Sequence, residues 1–278
     1  MRMPMGDNRL QILISAVDKE PEALLECMNI GCDAVLVDQI IKDAEGRTNL
    51  PSDREVNIGG YKALILERKE KGVGKSRNTA FEHSDHEIIQ FGDDDIVYLD
   101  GYADKVIAEF DAHPEADLIL FNVKAQEGRE TYWNEDFSKV SWYNYGRYPA
   151  YAICARRGKL QEAGVRYSLL FGGGAPYMNG EDSLFLHDCL KAGLSLYRSP
   201  VHIGNETSGE STWFKGYTDK FFFDRGVLYH FLYGGAAFVW GFRFLFKNRK
   251  EMCKESGLLK SYRLLLKGIA QGKTLKKV

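Results

Sequence analysis

The sequence predicts an α/β protein in which a doubly wound, mostly parallel sheet is flanked by helices and followed by a C-terminal helical appendage. Three observations predict it. Short apolar runs of strand length alternate with stretches of helix length from residue 10 to residue 197, the pattern of a sheet assembled from βαβ units. One of those runs ends abruptly in Asp93-Asp94-Asp95, which puts charge at a strand tip, where open sheets bind their ligands. The charge is also segregated. Residues 241–278 hold eleven Lys/Arg against two Glu, a net +9, whereas residues 1–240 carry −11 within an overall charge of −2.

Leu10 to Val17 is a mostly apolar run, read as a buried parallel strand. A helix follows at about 20–29. Asp33-Ala34-Val35-Leu36-Val37-Asp38-Gln39 is a second strand whose polar end emerges at the carboxyl edge of the sheet. A polar loop leads to a third strand around Ala63 to Leu66 and a helix from Lys75 to Glu82. The acid-tipped strand of residues 86–95 comes next, then a helix over 99–112 and a strand over 117–121. The second half holds a strand at Tyr151 to Arg156, a short helix from Gly158 to Ala163 and a glycine loop, Phe171-Gly172-Gly173-Gly174-Ala175-Pro176, that permits close backbone approach. A helix opens at Asn179-Gly180-Glu181-Asp182 and ends near Gly193, and Leu194 to Tyr197 forms the last strand. Residues 1–232 are expected to form one body in two parts, 1–125 and 126–232. Residues 233–278 form a basic amphipathic helical tail.

Composition limits the class. With 278 residues, 44% hydrophobic and 27% charged, the chain can bury a full core and has the profile of a soluble domain. Its five cysteines lack C-x-x-C spacing, the N-terminus lacks the apolar core of a signal peptide, and no apolar run reaches the roughly 18 residues of a membrane span. A cytoplasmic protein with reduced thiols is expected. Its acidic body argues against nucleic acid as a partner. The tail is different: Phe238, Trp240, Phe242, Phe244 and Phe246 mix with basic residues, and Leu258, Leu259, Tyr262, Leu265 and Leu266 fall on one helical face. That mixture suits peripheral contact with an anionic membrane on its inner face, or equally a helix packed on the body with its charges in water.

Three adjacent aspartates repel one another and are poor strand formers, so their position after Ile88-Ile89-Gln90-Phe91-Gly92 suggests a cation. In extended chain Asp93 and Asp95 point the same way and can converge on Mg²⁺ or Mn²⁺; a solvated acidic turn is the plainer alternative. Glu70-Lys71-Gly72-Val73-Gly74-Lys75-Ser76-Arg77-Asn78 fails as a phosphate-binding P-loop because position 69 is Lys, and as a dinucleotide fingerprint because position 77 is Arg. A glycine turn feeding a basic helix N-terminus remains. It favours an anion, or is simply a capped helix with exposed charges.

The ordered set of Ser15, Asp38-Gln39, Gly72 to Asn78, Asp93-Asp94-Asp95 and Gly180-Glu181-Asp182, over roughly residues 10–215, resembles family 2 glycosyltransferases with the GT-A fold, such as those of bacterial capsule and exopolysaccharide synthesis. The Asp38-Gln39 segment departs from the Asp-rich, Ser-containing segment that many members carry. The resemblance implies a nucleotide-sugar donor, UDP-sugar favoured, held by Ser15, Asp38, Gln39, Lys75, Arg77, Asn78, Asp93 and Asp94. It implies Mn²⁺ or Mg²⁺ on Asp93, Asp95 and His202, catalysis by Asp182 with Glu181, and a glycan or lipid-linked acceptor against Gly173, Gly174 and Trp213; a structural His202 and a core Trp213 are the plainer alternatives. As general base, Asp182 would deprotonate the acceptor hydroxyl; the alternative is a helix cap. A nucleoside diphosphate leaves without needing a proton, so one base and one metal site suffice for an inverting transfer. A sugar-phosphate nucleotidyltransferase and a catalytically silent carbohydrate-binding protein are the alternative classes. The oligomeric state is not legible.

Overall fold

The computed structural model describes residues 8–42, 53–207 and 216–276. Its strands are β1 (Leu10–Val17), β2 (Asp33–Gln39), β3 (Arg54–Ile58), β4 (Tyr61–Arg68), β5 (Ile88–Asp93), β6 (Ile96–Tyr98), β7 (Leu118–Lys124), β8 (Ser138–Lys139), β9 (Ile153–Arg156) and β10 (Leu196–Glu206). They form one sheet in the order β3-β4-β2-β1-β5-β9-β7-β10-β6, with β8 beside β10. Strands β4, β2, β1, β5, β7 and β10 share one direction, and β3, β6, β8 and β9 run against them. Around the sheet lie α1 (Pro21–Cys27), α2 (Val73–Glu82), α3 (Tyr102–Ala112), α4 (Arg157–Ala163) and α5 (Glu181–Lys191). Helices α6 (Asp219–Tyr233), α7 (Ala237–Met252) and α8 (Leu258–Gly272) follow.

All seven residues of β2 are buried, as a strand covered on both faces requires. Period-two alternation divides β1 between two cores. Ile12 and Ile14 pack with Tyr102, Val106 and Phe110 of α3, while Leu13 faces Phe81 of α2 and Phe185 and Leu186 of α5. The doubly wound expectation is met, while β3, β6, β8, α6 and the far end of β10 depart from the sequence reading. In the polar loop, Arg54–Ile58 pairs antiparallel with Tyr61–Arg68 across Gly59-Gly60, both at positive φ (61° and 98°), which glycine adopts without steric cost. The last strand runs past Tyr197 to Glu206, because a register shift between Arg198 and His202 absorbs Pro200 and lets pairing with β7 resume. His202 therefore sits inside a strand.

A third apolar cluster joins α6, α7 and α8 to the body. Leu265 and Ile269 of α8 are buried with Phe222, Val227 and Leu228 of α6, and the cluster also contains Leu184 of α5 and Phe171. The helices approach closely at glycines. A Cβ on Gly226 would run into the Leu265 carbonyl, and one on Gly268 into the Phe223 carbonyl. The stripe expected on α8 is thus turned inward: its centre, Leu265, is covered by α6, while Leu259 and Leu266 remain exposed. Among the described residues no helix is long and apolar enough to cross a membrane.

Candidate active site

The carboxyl ends of β1, β2 and β5 meet at one edge, where Ser15 pairs in register with Asp93 and Ala16 with Asp38. Helix α2 enters the same edge. Gly74 is required there, since a Cβ would strike the Ser168 carbonyl, and this approach sets the face that α2 turns to the sheet. One turn on, Arg77 points inward with its side chain 4% exposed. Its Nη2 donates to Asp93 Oδ1 at 2.8 Å and its Nη1 donates to Asp182 Oδ1 at 2.8 Å. Glu181 Oε1 lies 3.8 Å away, and the guanidinium lies 4.9 Å from the centre of the Tyr167 ring. Burial works against the Arg77 charge, and the Asp93 and Asp182 carboxylates outweigh it, so the group stays protonated with its pKa well above the ordinary value. Asp182, at the start of α5, is raised by burial. Arg77 and the Ala150 N–H oppose that rise, and the Glu181 and Asp93 carboxylates add to it. A carboxyl group so placed can accept a proton near neutral pH.

The acid tip divides its work. Asp94 lies 3.4 Å from Lys19 Nζ and is raised by burial. Asp95 is pushed up to about 7, by burial first and then by Asp93, Asp94 and Glu206. Its Oδ1 is buried without a hydrogen-bond partner, while its backbone carbonyl accepts from Thr207 N–H (2.7 Å) and Oγ1 (3.0 Å). An orphaned carboxylate oxygen amid surplus negative charge is the donor chemistry that Mg²⁺ or Mn²⁺ takes. The fit is partial, because Asp93 is engaged by Arg77, and no three His, Cys, Asp or Glu side chains converge as a metal shell among the described residues. His202 does not join Asp95 in this arrangement. Its Nε2 sits 2.8 Å from the Gly204 carbonyl and 3.1 Å from Asn205 Oδ1, and its ring meets the edge of Trp133.

A pH dependence follows for chelator-treated protein. Folded Asp95 holds a proton that the unfolded chain releases near the ordinary carboxylate value of 3.8, so stability falls as pH rises from about 4 to about 7. The gap corresponds to at most about 4 kcal/mol. Asp95→Asn should flatten that decline in urea melts, and identical slopes for variant and wild type would refute the assigned burial.

Several predicted contacts hold the scaffold. Ser76 Oγ donates to Ser15 Oγ (2.9 Å), and Asp38 accepts the Lys19 N–H with both oxygens at 3.2 Å. Gln39 bonds both the N–H and the carbonyl of Gly72, at 3.2 and 3.1 Å. Asn78 grips the Tyr167 backbone twice at 2.9 Å, and Lys75 pairs with Glu70 at 3.5 Å. The loop with Gly173 and Gly174 lies against the start of α2: the Gly173 carbonyl accepts from Val73 N–H (2.8 Å), and a Cβ on Gly174 would strike Lys71 and Gly72. Trp213 lies outside the described residues. Sequence reasoning missed Lys19, Ser76, Tyr167 and Ala150. Of these only Ser76 stood inside a recognised motif.

The model of one protein family, Glycosyl transferase family 2, matches residues 50–164. Among solved structures, S. aureus TarS 1-349 in complex with UDP-GlcNAc superposes with a TM-score of 0.59 at 16% identity, over 95% of this chain and 77% of that one. Another structure of TarS 1-349 gives 0.60 at 15% identity, over 95% and 80%. The complex of TarS 1-349 with UDP gives 0.57 at 14%, over 89% and 73%. At these identities the likeness is one of fold. No curated protein matches the chain in sequence. Residues 50–164 thus match the model of glycosyl transferase family 2, and the chain as a whole shares the fold of TarS.

Proposed function

We propose that this enzyme is a metal-dependent, inverting glycosyltransferase that moves a sugar from a UDP-sugar to a hydroxyl of a glycan or lipid-linked acceptor in surface polysaccharide synthesis. The observation that carries the reading is the Arg77 bridge, which brings the acid tip and the carboxyl group at the head of α5 to opposite sides of one guanidinium. Asp182 accepts the proton of the acceptor hydroxyl as that oxygen attacks, and Arg77 and the Ala150 N–H orient its carboxylate. Glu181 keeps the base pKa raised. Ser15, Asp38, Lys75 and Arg77 line the end of the sheet that takes the nucleotide, with Asp94 fixed by Lys19. Asp95, with Asp93, would hold Mn²⁺ or Mg²⁺, which when bound neutralises the departing nucleoside diphosphate. The crystal complexes of TarS with UDP-GlcNAc and UDP support uracil as the base. In this reading residues 1–232 are the transferase domain, 1–125 serving the nucleotide and 126–232 the acceptor. Residues 233–278 form a basic tail in peripheral contact with an anionic membrane, on the cytoplasmic side.

Calorimetric titration with UDP tests the reading. Wild type should bind UDP with Mn²⁺ and lose most of that affinity with chelator, and UDP at a hundredfold excess over its dissociation constant should stabilise the fold by about 2.7 kcal/mol. Asp95→Ala should abolish the Mn²⁺-dependent part and stay folded, since like-charge repulsion is relieved. Undiminished Mn²⁺-dependent binding in that variant would sink the metal assignment.

A further inference from the structure

Helix α7 has one face that the protein covers and a wider one that it leaves bare. Ala237, Gly241 and Leu245, spaced i, i+4, i+8, are buried, and a Cβ on Gly241 would strike Leu265 of α8. Around the rest of the helix Phe238, Val239, Trp240, Phe242 and Phe246 each stand 44–54% exposed. Among them are exposed cations: Arg243 lies 5.8 Å from the Trp240 ring and Arg249 lies 4.3 Å from the Phe246 ring. Val239, Arg243, Phe246 and Lys250 follow i, i+4, i+7, i+11 and form a single line along the helix. Large exposed apolar patches on soluble proteins mark interaction surfaces, and aromatic rings interleaved with cations suit the boundary between headgroups and acyl chains.

We propose that the bare face of α7 is a membrane-contact surface whose partner is a bilayer leaflet bearing anionic headgroups. This gives the peripheral contact named above a specific surface, rests on that part of the reading, and is independent of donor and metal. Charge selects the partner. A second copy of the chain docked symmetrically on the same face would set these cations against one another, whereas an anionic leaflet attracts them. The remaining surface belongs to a body of net −11 and is repelled by such a leaflet, so the +9 segment is the part that can approach. The helical cluster is also fastened to the catalytic edge. Asp224 Oδ2 of α6 accepts from Met178 N–H at 2.9 Å, and Gly180 at positive φ leaves no room for a Cβ against Leu228. Docking α7 on a leaflet therefore fixes the height of Asp182 above it, which a lipid-linked acceptor requires.

Co-sedimentation of the full chain with vesicles tests this. Binding is expected to phosphatidylcholine vesicles carrying about one-quarter phosphatidylglycerol, to weaken at high salt, and to be at least tenfold weaker with phosphatidylcholine alone. The triple variant Arg243→Glu, Lys247→Glu, Lys250→Glu should bind about a hundredfold or more less tightly, since each basic residue near the surface contributes roughly fivefold. Tryptophan emission of the wild type should shift to the blue on vesicle addition, and Trp240→Phe should remove most of that shift. Unchanged melting temperature and unchanged hydrolysis of a UDP-sugar in solution establish that the variants are folded and that the nucleotide site is intact. Equal binding to both vesicle types, or undiminished binding of the triple variant, would overturn the proposal. So would a wild type that ignores vesicles but sediments as a dimer dissociated by Trp240→Ser/Phe246→Ser, which would assign the face to a second copy. A wild type that binds anionic vesicles but not UDP would leave the surface standing and refute the donor reading.

Discussion

Asp182→Asn is expected to lower the rate of sugar transfer by roughly 10² to 10⁴ while leaving UDP affinity near that of wild type. The substitution preserves shape and an oxygen that can still accept from Arg77 Nη1, so the bridge to α2 survives in part. What disappears is a group that can take the acceptor proton. Burial and the neighbouring Glu181 and Asp93 carboxylates raise the pKa of Asp182 towards the working range of a general base, and an amide has no such equilibrium. Single-turnover measurements with saturating UDP-sugar separate the chemical step from donor binding. Turnover close to wild type would reduce Asp182 to an acidic residue in the first turn of α5, favourable to the helix dipole and nothing more.

Arg77→Met is expected to cost about 3–5 kcal/mol of stability, the range for removing one partner of a buried ion pair. Methionine fills the volume along the α2 face but leaves Asp93, Asp182 and Glu181 clustered without their cation. Asp182, already raised by burial and now without the opposing Arg77 charge, then binds its proton more tightly in the folded state than in the unfolded one. The variant should accordingly recover part of its deficit as pH falls from about 8 to about 5, because the folded state takes up protons that the unfolded chain does not. Urea midpoints at the two pH values measure this. Arg77→Lys should give an intermediate loss, since one ammonium cannot reproduce two divergent N–H donations at 2.8 Å. A deficit below about 1 kcal/mol, equal at both pH values, would mean that the bridge contributes little to the fold.

The strands that carry the site were legible because they are buried on both faces. A parallel strand in the middle of a sheet reads as a near-continuous apolar run, and β1, β2 and β5 are mostly such runs. Strand β3 was not, since it lies at the sheet edge and only Arg54, Val56 and Ile58 are partly covered. The extension of β10 was hidden by Pro200, which argues against a strand unless an irregular register accommodates it. At the site, motif positions were legible and partnerships were not. Arg77 stood in a basic helix start that suggests an anion, yet the anions that hold it are carboxylates 16 and 105 residues away. The glycines at 173 and 174 illustrate the same limit: a run of three glycines announces close backbone approach, but the approaching partner proved to be the start of α2.

The cluster that joins α6, α7 and α8 to Leu184 and Phe171 bears on how the chain is made. Synthesis proceeds from the N-terminus, and the sheet through β10 can form once residue 206 has left the ribosome. Helix α5 by then has its Phe185 and Leu186 side buried against the sheet, but Leu184 still lacks the Leu265 and Ile269 that complete its other surroundings. Gly226 and Gly268 admit one close seating of α8 on α6, so this last step is a docking with little tolerance for register error. Half-made chains therefore hold an assembled sheet edge beside an incompletely packed α5, with the apolar side of α6 open to solvent until residue 272 emerges. Chains truncated before residue 258 would therefore expose the α6 side of this cluster to solvent.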